Sequence, residues 1–534
     1  MSSKKKRILI LGAGVMQGPA IRSAQAMGHI PVVIDGDPYA PMAGKADLFE
    51  VIDLKDIHKI EEFARKLHLE GGIHGIMTAG TDFSASVAFV AERLGLPGIS
   101  YETALDASDK ERMRQRFKEA GLPSPAFTVF TGNTAHNLPF PFPVVVKPVD
   151  NMGARGCRRV DTGAELKAAI ENALQFSRSC RAIAEEYMEG PEFSLDAIIY
   201  KGEVTICGLA DRHIFFPPYF IEMGHTMPTM FAANDQAAII DVFIRGIKAL
   251  GIENGAAKGD IKLTSRGPMI GEIAARLSGG YMSGWTYPYA SGVNPVEGAL
   301  SVALGQKPEN LSPRKNWTSA ERAFISIPGL VKSIEGLEDA GNIQYVKDLF
   351  LRTGPGQPIF FPENNVTKAG NVITTAPERQ AAVQAAEKAA KTILIRLKAP
   401  HEATGVFLSA RGEFPPPAYT LDSALQKYLN QLPESVICNN FSGEITSQEH
   451  KDTKVSIIPF PGFMESDLVD YLGRTPRETL EAVQKLTGID LTGVKPGPQT
   501  PVLGREFWVS LIRGGYQGAV YYIDSLNMPK KNKT

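Results

Sequence analysis

A multidomain chain of mixed class is predicted: a parallel α/β domain followed by α+β lobes. Three observations carry that expectation. The first 105 residues alternate strand-like and helix-like segments, the mark of a parallel sheet covered by helices. Past residue 190 the apolar runs come in adjacent pairs, 193–200 with 203–209 and 255–264 with 268–274, which suits antiparallel pairing. A chain of 534 residues also exceeds one ordinary domain.

Composition narrows the class. Hydrophobic content of 43% against 22% charged gives enough apolar surface for several cores. A net charge of -1 offers no general attraction to nucleic acid or an anionic membrane. The basic stretches at 4–7 and 529–534 are short and read as solubilising ends. Cys157, Cys180, Cys207 and Cys438 lie far apart, without Cys-x-x-Cys spacing, so free thiols in a reducing compartment are expected. No apolar run approaches a membrane span and the N-terminus lacks a signal-peptide core. A cytoplasmic protein is expected.

In order, 7–11 is a buried strand, Gly12-Ala13-Gly14 a turn, 17–27 a helix and 30–34 a strand ending at Asp35. Gly12, Gly14 and Gly18 approximate a dinucleotide fingerprint without matching its spacing, and Asp35 falls near the ribose position. Residues 73–78 form a later strand. The loop after it carries Asp82, either a contact for a substrate amine or hydroxyl or a helix N-cap. Ser108 to Glu111 reads as a capping box and puts Lys110 in a first helical turn, where the helix dipole disfavours a cation. That lysine is either solvated or paired with something negative.

The segment 142–160 is the focus of the chain. Val144 to Val146 read as a buried strand closed by Lys147. A loop with Gly153 and Gly156 then runs into a second strand-like piece at 157–160. Glycines let a loop curl and aim N–H groups at an anion, while Lys147 and Arg155 add charge. A plain hairpin with a surface lysine satisfies the same residues. Thr162 and Glu165 form a second capping box, and 182–184 a strand leading into Glu185-Glu186-Tyr187-Met188-Glu189-Gly190-Pro191-Glu192. A helix over 237–250 precedes the pair 255–264 and 268–274. Asp260 and Glu272 stand on its two strands, where cross-strand neighbours bring carboxylates together, a magnesium arrangement unless both simply face solvent. Arg276 follows, then Ser278-Gly279-Gly280.

The order of these pieces resembles the ATP-grasp superfamily over residues 7–398. That order is an α/β domain, a helix-borne lysine, a strand-lysine-glycine loop, a Glu-x-x-x-x-Gly-x-Glu hinge and two acids. The resemblance implies a pre-ATP-grasp α/β domain at 1–105, a small lobe at 106–190 and a large lobe with its completing segment at 191–398. An accessory α+β domain fills 399–534. It implies ATP and Mg2+ as cofactors, with Mn2+ as the alternative ion. Lys110 and Lys147 would reach the phosphates, under a cover made of Met152, Gly153, Ala154, Arg155 and Gly156. Glu185 would accept from the adenine amino group, Glu186 and Met188 would offer backbone bonds to the base, and Glu192 would hold the ribose. Asp260 and Glu272 are the implied metal ligands. Ala274 stands where many relatives place an asparagine, which leaves a third ligand open.

The run Glu-Ile-Ala-Ala-Arg-Leu-Ser-Gly-Gly from Glu272 is similar to the carbamoyl-phosphate-synthase-like branch, which includes amino-acid ligases. There the arginine at Arg276 stabilises the transferred phosphate. Residues 217–225 also look like that branch, making Glu222 and His225 substrate contacts alongside Asp82, Ser278 and Gly279; for His225 a structural turn is the other reading. The implied activity is ADP-forming ligation of a small-molecule carboxylate, of amino-acid type, to an amine through an acyl phosphate, by an enzyme that commonly forms homodimers. Three alternatives accompany it: a carboxyphosphate-forming or purine-pathway enzyme, an NAD-dependent oxidoreductase using Gly12 to Asp35, and a non-catalytic nucleotide-binding protein. Beyond 399 no resemblance applies. Strands are expected at 401–408, 455–459 and 507–512, a helix at 477–486, and loops at 415–417, 496–501 and Gly514-Gly515.

Overall fold

The computed structural model describes residues 5–132, 138–410, 412, 414–436, 455–491 and 501–526. It separates into two compact units, residues 1–321 with 375–383, and residues 322–374 with 384–534. Cys438, the stretch 529–534, Lys4 and most of 496–501 lie outside the described residues. Among the described residues no helix is long and apolar enough to cross a membrane, and Cys157, Cys180 and Cys207 are free thiols.

The first unit opens with the parallel sheet that its alternating pattern predicts. Strands β1 (Arg7–Leu11), β2 (Ile30–Asp35), β3 (Leu48–Val51) and β4 (Gly75–Thr78) lie in the order β3-β2-β1-β4, all parallel. Helices α1 (Gly18–Ala26), α2 (Ile57–Leu69) and α3 (Ser84–Leu94) cover it. One face packs α1 against the helix Pro295–Ala303, with Ile8, Ile10, Ile21 and Leu300 fully buried. The approach is tight at Gly75, where an added Cβ would lie 2.3 Å from the Ala303 carbonyl oxygen. Gly75→Val is therefore expected to destabilise this unit by about 1–3 kcal/mol through overpacking, read as a lower melting temperature. Gly98→Ala, whose Cβ would meet only Ala91 Cβ at 3.5 Å, is expected to leave that temperature unchanged.

Two short helices, α4 (Tyr101–Asp106) and α5 (Lys110–Glu119), lead into an antiparallel sheet of β5 (Phe127–Thr131), β6 (Val144–Pro148), β7 (Arg158–Val160) and β8 (Arg181–Glu186), in the order β5-β8-β6-β7. Helix α6 (Gly163–Phe176) closes over it, burying Leu166, Ala169, Ile170 and Ala173 at helical spacing. The helix starts differ in detail from the two expected capping boxes. Asp109, not Ser108, caps α5, accepting from the N–H groups of Glu111 and Arg112. The Thr162 side chain makes no cap bond to α6 and contacts Glu165 instead.

A larger antiparallel sheet follows. It contains β9 (Glu192–Tyr200), β10 (Glu203–Phe215), β11 (Ile221–Met227), β12 (Asn254–Thr264) and β13 (Gly267–Ala274), running β13-β12-β9-β10-β11. Helix α7 (Ala233–Ala249) packs on β12 and β13, burying Ile239, Val242, Phe243 and Ile247.

In the second unit the C-terminal expectations need correction. Residues 401–408 belong to a helix, Glu402–Ser409, and 507–512 to the long helix Arg505–Leu526. Phe507, Trp508, Leu511, Ile512 and Tyr516 recur at one-and-four spacing, so the run is a buried helix face, not a strand. Gly514-Gly515 is a break between two helical segments of Arg505–Leu526 and not an extended loop: Gly515 has φ 59° and ψ -147°, a conformation open to glycine. The expected strand at 455–459 shrinks to Ser456–Ile457, paired in parallel with Val502–Leu503, while the expected helix appears as Pro476–Thr487. A helix over Arg379–Thr392 gives way to the strand Leu394–Leu397. The long helix is tied to that strand by the buried Arg396–Asp524 pair and by Tyr516, whose hydroxyl accepts from Ile395 N–H at 2.9 Å.

Candidate active site

All the residues singled out for chemistry fall in the first unit. Strands β12 and β13, joined by a tight turn at 264–267 and offset by a bulge between Asp260 and Ile261, form the base of the site. Asp260 stands directly opposite Glu272, and Lys258 directly opposite Ala274. Asp260 is buried and paired with Lys258 and with Arg212, the latter at 3.1 Å, while Ser194 Oγ donates to it at 3.3 Å.

Glu272 receives the Lys110 ammonium at 3.3 Å. Burial works against its charge, but Lys110, Lys258, Lys147 and Arg276 outweigh it and hold the carboxyl well below the usual carboxylate range. The awkward first-turn position of Lys110 is thereby explained. Its ammonium folds back to Glu272 and to the Asn151 carbonyl, 2.8 Å away. Burial disfavours that ammonium too, yet Glu272 and Asp82 keep its pKa raised.

Lys147 leaves the end of β6 and reaches Glu185 Oε2 at 2.7 Å. Glu185, expected to accept from a base, has both oxygens engaged internally. Its other oxygen takes Arg114 Nε at 2.9 Å, and Glu185 and Arg114 are both almost fully buried. Two cations against one carboxylate fix it as the internal counter-ion of the lysine. The glycine loop 151–157 turns through left-handed backbone at Gly153, Ala154 and Gly156. At Gly156 a Cβ would also meet the Phe176 ring at 2.9 Å. Arg155 turns inward to Asn151 Oδ1 and Met152 O at 3.2 and 3.4 Å. Cys157, beside this loop, is pushed up to about 11 by burial and so stays a thiol.

Beyond β8, Glu186 places its N–H on Ala126 O, and the Met188 carbonyl accepts from Lys262 at 3.1 Å. The Glu192 carboxylate meets Arg212, with Lys262 3.7 Å away. Arg212 also holds Glu222 at 3.0 Å, so one buried guanidinium gathers Glu192, Glu222 and Asp260. Sequence reading passed over Arg212 and Lys258. The available signal was position: Arg212 pairs in register with Glu192 across β9 and β10, and Lys258 lies two residues from Asp260, on the same strand face.

His225 is buried between Glu321, 3.0 Å from Nδ1, and Glu222, 3.6 Å from Nε2. The turn after β13 lies against them, because a Cβ on Gly280 would come within 2.8 Å of Glu222 Oε1. Ser278 gives its N–H and hydroxyl to Asp196, which Ser283 also contacts. Desolvation raises that buried carboxyl to about 6. Gly279 rests against Gly80, and Leu277 bridges Ala79. The Asp82 loop therefore borders the same turn. Phe83, not Asp82, is the N-cap of α3. Arg276 is buried, donates to Leu277 O at 3.1 Å and leaves Nε without a hydrogen-bond partner.

The glycine turn at the N-terminus has a different character. Gly12 N–H bonds Ile34 O, Ala13 N–H bonds Asp35, and Gly14 N–H bonds Gln17, whose side chain fills the turn. The donors that a dinucleotide pyrophosphate would need are engaged internally, which removes the structural basis for the NAD reading.

A family model described as the ATP-grasp domain matches residues 140–284, covering the glycine loop, both acids and Arg276. The chain carries an ATP-grasp domain. A second model, the L-amino acid ligase C-terminal domain 2, matches residues 323–398. The chain is 26% identical over 402 residues to the uncharacterized protein y4rH of Sinorhizobium fredii, covering 73% of this chain and 82% of that one. It is 26% identical over 388 residues to carnosine synthase 1 of Gallus gallus, covering 65% of this chain and 41% of that one. The chain thus spans about two fifths of the length of that synthase. The crystal structure of the L-amino acid ligase from Bacillus licheniformis superposes with a TM-score of 0.66 at 22% identity, covering 74% of this chain and all of that one.

The donor set suits a hard divalent ion. Asp260 and Glu272 are oxygen donors in direct register, Glu272 stays ionised, and magnesium typically takes one or two carboxylates with phosphate oxygens. Among the described residues no cluster of three or more metal-ligating side chains occurs.

Proposed function

We propose that this chain is an ATP-dependent, ADP-forming carboxylate–amine ligase acting on small molecules of amino-acid type. The observation that carries the reading is the charge arrangement at Glu272. An ionised carboxylate, cross-strand from Asp260, lies in the combined field of Lys110, Lys147, Lys258 and Arg276. So many cations around two acids suit a polyphosphate with its divalent ion. The ligase relatives, one of them an L-amino acid ligase, support the amino-acid class.

A carboxylate does not acylate an amine in water, because oxide is too poor a leaving group. Phosphorylating the carboxylate turns the leaving group into phosphate. Lys147 and Lys110 offset charge on the moving phosphoryl group, and Arg276 stabilises the oxyanion as the amine attacks. Asp260 and Glu272 would hold magnesium, which when bound clamps the phosphate oxygens. The loop Met152 to Gly156 would cover the phosphates and keep water from the acyl phosphate. The Glu186 and Met188 backbone would edge the base and Glu192 would hold the ribose. Glu222, His225, Ser278, Gly279 and Asp82 surround the acceptor side. No side-chain nucleophile is needed.

The decisive assay measures ADP release with amino acids supplied singly and in pairs. Turnover that requires two different substrates is expected. Release that is indifferent to any carboxylate or amine would overturn the ligase assignment.

A further inference from the structure

Lys258 is left over once the phosphate-facing lysines and the two acids have roles. It lies two residues before Asp260 on β12, so both side chains project from the same face. Its cross-strand partners are Ala274 on β13, whose methyl group brings no donor atom, and Asp196 on β9, whose carboxylate already takes the Ser278 and Ser283 hydroxyls. The ammonium contacts the Asp260 carboxylate. The side chain is largely buried, and it is not needed merely to neutralise Asp260, because Arg212 already faces that carboxylate at 3.1 Å.

We propose that the Lys258 ammonium is a built-in cation of the phosphate site, and that the chain consequently binds one divalent ion per nucleotide where two would otherwise fit. The inference rests on the ATP-dependent reading above. Two carboxylates neutralise one divalent ion. A second would lie beside a fixed positive charge, and Ala274 offers it no oxygen. When Asp260 turns to a metal, the ammonium is released toward the phosphate oxygens, where a point charge on a flexible stem is well suited. Lysine here does the electrostatic work of an ion without having to be bound from solution.

Manganese titration of the full chain, followed by the electron paramagnetic resonance of free Mn2+, tests this in the presence of saturating non-hydrolysable ATP analogue. One tightly held ion per chain is expected. Lys258→Gln is expected to weaken binding of the analogue by about tenfold or more, the loss of one charge-assisted contact. Lys258→Arg should recover most of it. The double variant Lys258→Gln/Ala274→Asn, which supplies an oxygen donor and removes the charge, is expected to take up a second ion. Two tight ions in the unmodified chain, or unchanged analogue affinity in a folded Lys258→Gln, would overturn the proposal. If Lys258→Gln does not fold, the ion count of the unmodified chain decides alone. Failure of the unmodified chain to bind the analogue at all would instead overturn the ATP-dependent reading beneath it.

Discussion

Glu272→Gln is expected to lower ADP release by about 10³-fold or more, the scale on which removal of a preorganised charge at a reacting centre is felt. The substitution keeps the side-chain volume and removes the anion toward which Lys110 points at 3.3 Å. It also removes one of only two oxygen donors in cross-strand register. The sign of the pH dependence follows from the depressed carboxyl. Because Lys110, Lys258, Lys147 and Arg276 hold it below its ordinary value of 4.5, Glu272 stays charged as the solution is acidified through that value. The pH–rate profile of the unmodified protein should therefore show no acidic limb from this group. Lys147→Met provides a companion measurement, since Glu185 keeps Arg114 at 2.9 Å and so remains paired inside. Loss of turnover with an unchanged melting temperature is expected there. Turnover within tenfold of the unmodified protein in both variants would remove these residues from the chemistry.

What was legible in the sequence follows the range of the contacts involved. The opposition of Asp260 and Glu272 is a local matter: one tight turn pairs β12 with β13, and a bulge between Asp260 and Ile261 shifts the register by one residue to bring the two acids opposite each other. The parallel opening domain was likewise visible from its alternation. Contacts between distant segments were not. Nothing near Lys110 announces Glu272, and nothing near Glu185 announces Arg114; each pair is brought together only when α5 meets the sheets. The motif places Glu185 beside a nucleotide base, and only the fold shows that both its oxygens are engaged internally. The C-terminal misreadings have another cause. In Phe507 to Ile512 four of the six residues are buried and large, and a short apolar run looks alike as a strand or as one face of a helix. Only the continuation to Tyr516, Val520 and Ile523 shows the helical period.

Glu185→Ala is expected to be among the most damaging single changes to the stability of the first unit, costing about 3–5 kcal/mol. The reason is asymmetric. Arg114 is almost fully buried and its other contact is to the Gly271 carbonyl at 2.5 Å, so losing Glu185 strands a guanidinium in a low dielectric. Replacing both partners, as in Arg114→Met/Glu185→Leu, should recover a large part of the loss, because an apolar pair of similar volume carries no desolvation penalty. Thermal melts of the two single variants and the double variant form the cycle that measures this. Acid adds an independent check. Burial alone would raise the Glu185 pKa, but Arg114 and Lys147 lower it below 4.5, so the folded state binds this proton less readily than the unfolded chain does. The stability it contributes is complete above that ordinary value and is lost as the pH falls through the lower, folded one. Glu185→Ala should lack this acid-dependent portion. An equally steep acid loss in that variant, or a double variant no more stable than the single, would mean that the Arg114–Glu185–Lys147 cluster does not hold the small antiparallel sheet to β13.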